Sequence, residues 1–190
     1  YQGATAFKRI STIIDKEIII KENSSLPKLV IKNTDIEFDK VFFKYQTTEK
    51  KILRNINFNI KGGTMAAFVG HSGAGKTTIM NLLPRFYDAQ SGSIKIDGQD
   101  ITKVRLSSLR KNISLVSQDI VLFDDTIKNN ISYAKEHASQ NEIERACSFA
   151  AADEFIEKLP NKLETMIGEN GVRLSGGQKQ RISIARAVLK

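Results

Sequence analysis

The sequence predicts an α/β fold, and three features of its middle carry that expectation. The run Met65-Ala66-Ala67-Phe68-Val69 is apolar without alternation, the pattern of a strand covered on both faces in a parallel sheet. It leads directly into a glycine-rich stretch, and that stretch into Lys76-Thr77-Thr78-Ile79-Met80-Asn81-Leu82-Leu83, a helix that must end around Pro84. Strand, glycine loop and helix in that order open a βαβ unit. A chain of 190 residues with 41% hydrophobic and 26% charged residues has room for one domain with its own core, or most of a larger one.

The elements follow in order. Ala4, Phe7, Ile10, Ile13 and Ile14 recur at helical spacing, so the chain opens on an amphipathic helix ending near Glu17, whose apolar face needs a partner surface. The polar stretch after residue 20, with the first proline at Pro27, reads as a linker over 21–34, and the folded domain begins at Asp35. Ile36-Glu37-Phe38 and Val41-Phe42-Phe43-Lys44-Tyr45 read as strands. Ile56, Phe58 and Ile60 alternate with Asn57 and Asn59 before a Lys61-Gly62-Gly63 turn. Ser93 to Asp97 is a strand ending in an Asp97-Gly98 turn, and Ile113 to Val116 a short buried strand before Gln118. Residues 126–162 read as mostly helical: Thr126 caps one helix, Ser139 and Glu142 have capping-box spacing for the next, and Pro160-Asn161 closes the region.

Several classes are excluded early. The longest apolar run is the five residues Met65–Val69, far short of the ~18–20 needed to span a bilayer as a helix. The N-terminal stretch lacks the pattern of a signal peptide. One cysteine, Cys147, forms no internal disulfide and no thiol metal site, which points to a reducing, cytosolic setting. The net charge of +8 is spread evenly along the chain, so a basic solvated surface is expected and no nucleic-acid partner.

Gly70-His71-Ser72-Gly73-Ala74-Gly75-Lys76-Thr77 satisfies G-x-x-x-x-G-K-[ST], with Thr78 adjoining it. Glycines let the backbone approach an anion so that successive N–H groups surround phosphates, and the following helix adds its positive end. Lys76 supplies a mobile cation for the outer phosphates, and the Thr77 hydroxyl is a ligand suited to Mg²⁺. His71 is a variable position of the loop rather than a base. Further on, Leu174-Ser175-Gly176-Gly177-Gln178 precedes a helix with Ile182, Ala185, Val188 and Leu189 on one face. Ser175 is an N-cap candidate, and the glycines expose amides at a helix start. The residues alone leave both readings open, a simple cap or a second anion site.

With both motifs in hand, the chain resembles the ATP-binding cassette (ABC) proteins over nearly its whole length. The resemblance implies an ABC ATPase core with a parallel sheet, an antiparallel β subdomain and a helical subdomain. It implies ATP and Mg²⁺ as cofactors, with ATP held between the phosphate loop of one nucleotide-binding domain and the Ser175, Gly176, Gly177 and Gln178 signature of a second. Tyr45 matches the aromatic that stacks on adenine, against the alternative of a core aromatic beside Phe42 and Phe43. Gln118 matches the glutamine that touches the Mg²⁺ site and couples to the membrane domains. Residues 82–97, with Leu122 to Ala134 and Thr165 to Gln178, resemble the exporter branch, most closely the bacterial lipid A and multidrug exporter group. Glu169 then falls in the loop that contacts coupling helices, and residues 1–20 match the cytosolic end of an exporter's last transmembrane helix.

The resemblance implies a transport ATPase at the cytoplasmic face of the inner membrane, with a second nucleotide-binding domain, paired head to tail, and a transmembrane domain as partners. It also marks a departure. The family's Walker B aspartate, catalytic glutamate, D-loop and switch histidine follow the signature helix, whereas this sequence ends at Lys190. No general base is therefore identifiable within 35–190, and the expectation is a cassette incomplete at its C-terminus that binds ATP weakly, turns it over negligibly and tends to associate. The alternative is a non-catalytic split or decayed fragment that acts only as an interaction module. ABC proteins of DNA repair or translation form a third option, opposed by the exporter-type residues 167–171 and the N-terminal helix.

Overall fold

The structure, a computed structural model, describes residues 2–46 and 52–190, with the side chains of residues 2–6 outside the description. It divides into two compact units, 1–112 and 113–190.

In the first unit, α1 (Gln2–Ile14) is followed by an antiparallel sheet in the order β2-β1-β3-β4, from β1 (Ile36–Phe43), β2 (Leu53–Ile60), β3 (Ser91–Ile96) and β4 (Gln99–Asp100). Helices α2 (Lys76–Leu82) and α3 (Leu106–Lys111) complete it. Phe38 stands opposite both Phe58 and Ile94, and the Phe38 and Phe58 rings stack at 4.5 Å. The two strands expected within 36–45 are one strand with an irregularity at Lys40, whose φ is 48°. There the Asn57 side chain accepts the Lys40 N–H at 2.7 Å in place of a ladder bond. Gly92 passes this bulge so closely that a Cβ would lie 2.3 Å from the Lys40 carbonyl oxygen, and its φ of 85° suits glycine alone.

Residues 21–34 are pinned by side chains distant in sequence. Gln99 exchanges two hydrogen bonds with the Val30 backbone, and the Asp97 carboxylate accepts the N–H groups of Lys32, Asn33 and Asp35. These backbone donors hold the Asp97 carboxyl below its usual range. Glu22 accepts both the N–H and the hydroxyl of Ser107 in the first turn of α3.

The parallel layer expected from the sequence is not paired. Met65–Val69 and Ile113–Val116 have no regular secondary structure and no strand partners among the described residues, and Met65 and Val69 are 99% and 91% exposed. Apolar composition favours burial, but a strand also needs a neighbour to complete its ladder, and neither segment has one within the described chain. Helix α1 ends at Ile14, before Glu17, and Phe7, Ile10, Ile13 and Ile14 are exposed, so the unpartnered face stands as expected. The side chain of Ala4, counted on that face, lies outside the description.

The second unit is helical: α4 (Ile127–Ser132), α5 (Gln140–Phe149), α6 (Asp153–Ile156) and α7 (Gly176–Leu189), with short 3₁₀ turns at Lys162–Glu164 and Glu169–Gly171. The expected caps form, Thr126 accepting the Asn129 N–H and Ser139 making a full capping box with Glu142. Helix α7 packs on α4 and α5 through Ile182, Ala185 and Leu189; Val188 lies off that face and is partly exposed. Cys147 is buried in the same core, where lost hydration pushes its thiol up to about 11.

Candidate functional site

The phosphate-loop residues and Tyr45 come together in the first unit. Gly75 ends the loop with φ 90°, and a Cβ there would meet Leu53 Cδ2 at 2.7 Å, so the turn into α2 requires glycine. Having no side chain, Gly75 leaves the first-turn amides of α2 uncapped. The Lys76 ammonium folds back over the loop and donates to the carbonyls of Gly70 at 2.8 Å and His71 at 2.7 Å. His71 and Thr77 are exposed, with the Thr77 hydroxyl at the helix start. Uncapped amides, a cation tethered to loop carbonyls and an exposed hydroxyl make a donor set suited to a phosphate chain and an oxygen-coordinated cation.

Thr78 differs from its neighbour. It is 5% exposed, and its hydroxyl lies 3.1 Å from that of Tyr45. The Tyr45 ring is half-buried and meets Phe43 and Tyr87 in near-perpendicular contacts at 4.8 and 5.0 Å. The aromatic expected over the base thus hydrogen-bonds to the helix that begins at the phosphate loop.

The other predicted residues belong to the second unit. Gln118 and Gly176 line one cleft of about 470 Å³ with Ser117, Asp119, Lys179 and Gln180. Ser175 caps α7: its Oγ accepts the Gln178 N–H at 3.3 Å while Gln178 Oε1 accepts the Ser175 N–H at 2.9 Å. The hydroxyl proton of Ser175 is still available for donation, because capping uses its oxygen as an acceptor. Gly176 and Gly177 have ordinary helical backbones, and a Cβ on either would meet nothing within 4 Å. Glycine has no propensity advantage over alanine in a helix, and nothing among the described residues requires it at these two first-turn positions.

Sequence reading missed the pair that fixes the start of this unit. Asn130 is fully buried; it accepts from Phe123 N–H and Arg186, and donates to the carbonyls of Phe123 and Thr126. Arg186 also donates to the carbonyls of Asn130 and Val121, tying residues 121–123 to the signature helix. The available signal was an arginine between Ala185 and Ala187, beside the apolar face of α7, which implies a buried partner.

Comparison with known proteins agrees with these motifs. The family model described as ABC transporter matches residues 53–190. An ATP-dependent lipid A-core flippase from Photorhabdus laumondii is 50% identical over 192 residues, covering 100% of this chain and 32% of that protein. A flippase of the same description from Legionella pneumophila is 54% identical over 156 residues, 82% of this chain and 26% of the relative. A solved structure of a bacterial Atm1-family ABC exporter with ATP bound is 43% identical with a TM-score of 0.90, over 99% of this chain and 33% of that one. The chain spans about a third of the length of these relatives.

Proposed function

The chain belongs to the ABC transporter family, and on that premise we propose that it is the nucleotide-binding part of an exporter that couples binding and hydrolysis of Mg-ATP to export or flipping of a lipid or other hydrophobic solute. The observation that carries the reading is the start of α2, where uncapped amides and the Lys76 ammonium converge on the loop. A triphosphate replaces the Gly70 and His71 carbonyls as the acceptor for Lys76, exchanging neutral acceptors for charged ones in a stronger, charge-assisted interaction. Tyr45 receives the base. Thr77 would hold Mg²⁺, which neutralises phosphate charge when bound.

Ser175 and Gly177 serve the γ-phosphate held by a second domain, so that Lys76 and Ser175 of one chain act on different nucleotides in a head-to-tail pair. The glycines after the Ser175 cap support this: two residues without side chains that nothing among the described residues demands suit close approach by an outside group. Phosphate then completes contacts across the pair, and hydrolysis removes them, which makes nucleotide state a switch of association. None of these site residues is a general base, so this set binds and orients rather than activates water. The unpartnered face of α1 suits continuation into a transmembrane domain, and the setting is the cytoplasmic face of the inner membrane.

Titration calorimetry of the chain with Mg-ATP tests the reading. Lys76→Ala is expected to weaken binding by about tenfold or more, as loss of a charge-assisted phosphate contact worth ~1.5–3 kcal/mol requires. Equal binding by the variant would refute it.

A further inference from the structure

Tyr45 is held from three directions, two of them by the segment after α2. The Gln90 side chain accepts the Lys44 N–H at 2.7 Å and donates to the Lys44 carbonyl at 3.0 Å. It thereby acts as a strand partner for the residue before Tyr45, beyond the end of β1. The Tyr87 ring stands against Tyr45 at 5.0 Å and 87°, and against Phe43 at 5.7 Å. The Tyr45 hydroxyl meets Thr78.

The segment carrying Tyr87 and Gln90 is itself fixed. Arg110 donates to the carbonyls of Pro84 and Arg85 at 3.0 and 2.9 Å, and its guanidinium lies 5.4 Å from the Phe86 ring. Arg85 makes a two-pronged pair with Asp88 at 2.7 and 3.1 Å. Tyr87 is 43% exposed, so burial alone does not account for so much restraint at this turn.

We infer that Tyr87, with Gln90, is a positioning residue for the nucleobase platform, presetting Tyr45 before nucleotide arrives. The inference rests on the reading of Tyr45 as the base-contacting aromatic. Its physical content is preorganisation: a ring held by perpendicular aromatic contacts and a hydroxyl tether loses little freedom when a base stacks on it. Thr78 is correspondingly a tether between the platform and the phosphate-loop helix, while Thr77 faces solvent.

The test compares affinity for Mg-ATP with affinity for Mg-tripolyphosphate, which has the phosphates and no base, in the full chain. Tyr87→Ala is expected to weaken Mg-ATP about three- to tenfold, the range of an aromatic pair, and to leave tripolyphosphate unchanged. Gln90→Ala and Thr78→Val are expected to act in the same direction, and Tyr87→Phe to restore wild-type values. Equal loss for both ligands in Tyr87→Ala would indicate a merely structural role and overturn the inference; so would no loss for ATP. Tyr45→Ala separates the two levels of the argument. If it leaves the ratio of the two affinities unchanged, the base-platform reading itself fails; if it lowers the ratio while Tyr87→Ala does not, only the positioning role fails.

Discussion

Replacing Gly177 by alanine separates a residue kept for folding from one kept for an approaching partner. Gly177 is the second residue of α7, its backbone is helical, and an added Cβ would meet no atom within 4 Å. No atom of the described residues opposes the substitution, and alanine at this first-turn position recovers at most the ~0.5–1 kcal/mol that glycine costs in mid-helix. For a chain of this size each kcal/mol moves the melting temperature by about 2–4 °C, so Gly177→Ala is expected to melt at the wild-type temperature or up to about 4 °C above it. The proposed γ-phosphate of the partner's nucleotide must approach this helix start closely, and a methyl group obstructs it. Self-association driven by Mg-ATP should therefore weaken about tenfold, the loss of ~1.4 kcal/mol. Circular dichroism melts and sedimentation velocity with and without Mg-ATP measure the two effects on one preparation. A lower melting temperature would show that the chain itself needs the glycine, and unchanged association would remove the partner from the argument.

Other outcomes are equally specific. Asn130→Ala leaves Phe123 N–H and one Arg186 donor without their side-chain acceptor, while the carbonyls of Phe123 and Thr126 keep the backbone N–H groups of Asp125 and residue 130. It should cost about 1–3 kcal/mol in denaturant unfolding, whereas a cost below about half a kcal/mol would deny the network its role. The Glu142 carboxyl is held down to about 2 from 4.5, first by its bond to Lys135 and then by the Ser139 capping-box bonds. Because the unfolded chain takes up this proton first, the group's stabilisation is complete above about pH 4.5 and fades as pH falls towards 2. Acid titration of helicity should lose part of its slope in this window in Glu142→Gln, and an unchanged curve would refute the assignment. Cys147 should resist alkylating reagents at pH 8 in the folded chain and react on unfolding, since its thiolate is suppressed and its sulfur buried; prompt labelling of folded protein would contradict that burial.

Chemistry carried by neighbouring residues was legible in the sequence. The phosphate loop, the caps at Thr126, Ser139 and Ser175, the alternation in β2 and the end of α2 near Pro84 each depend on residues a few positions apart. Steric limits on φ, side-chain reach and helical periodicity act within that range, so pattern and structure agree. The resemblance to ABC proteins rested on the same local strings, which is why the family match follows them.

Pairing across the chain was decided by tertiary structure. Met65–Val69 reads as a covered strand because its side chains are apolar, yet a ladder requires a second backbone alongside, and composition does not specify where one is. Val188 falls off the α7 core face by one position, a distinction finer than a hydrophobic period resolves. The bonds from Glu22 to Ser107, Val30 to Gln99 and Lys44 to Gln90 join residues 85, 69 and 46 positions apart. Glutamine, serine and glutamate serve equally well on a solvated surface, and only the folded arrangement of the chain brings these particular groups together. The sequence by itself therefore determined the glycine loop and the start of α2 on which the proposed phosphate site rests, since that pattern is local. Tertiary structure decided what holds Tyr45 in place, because Thr78 and Tyr87 reach it, and Gln90 reaches Lys44 beside it, only through folding.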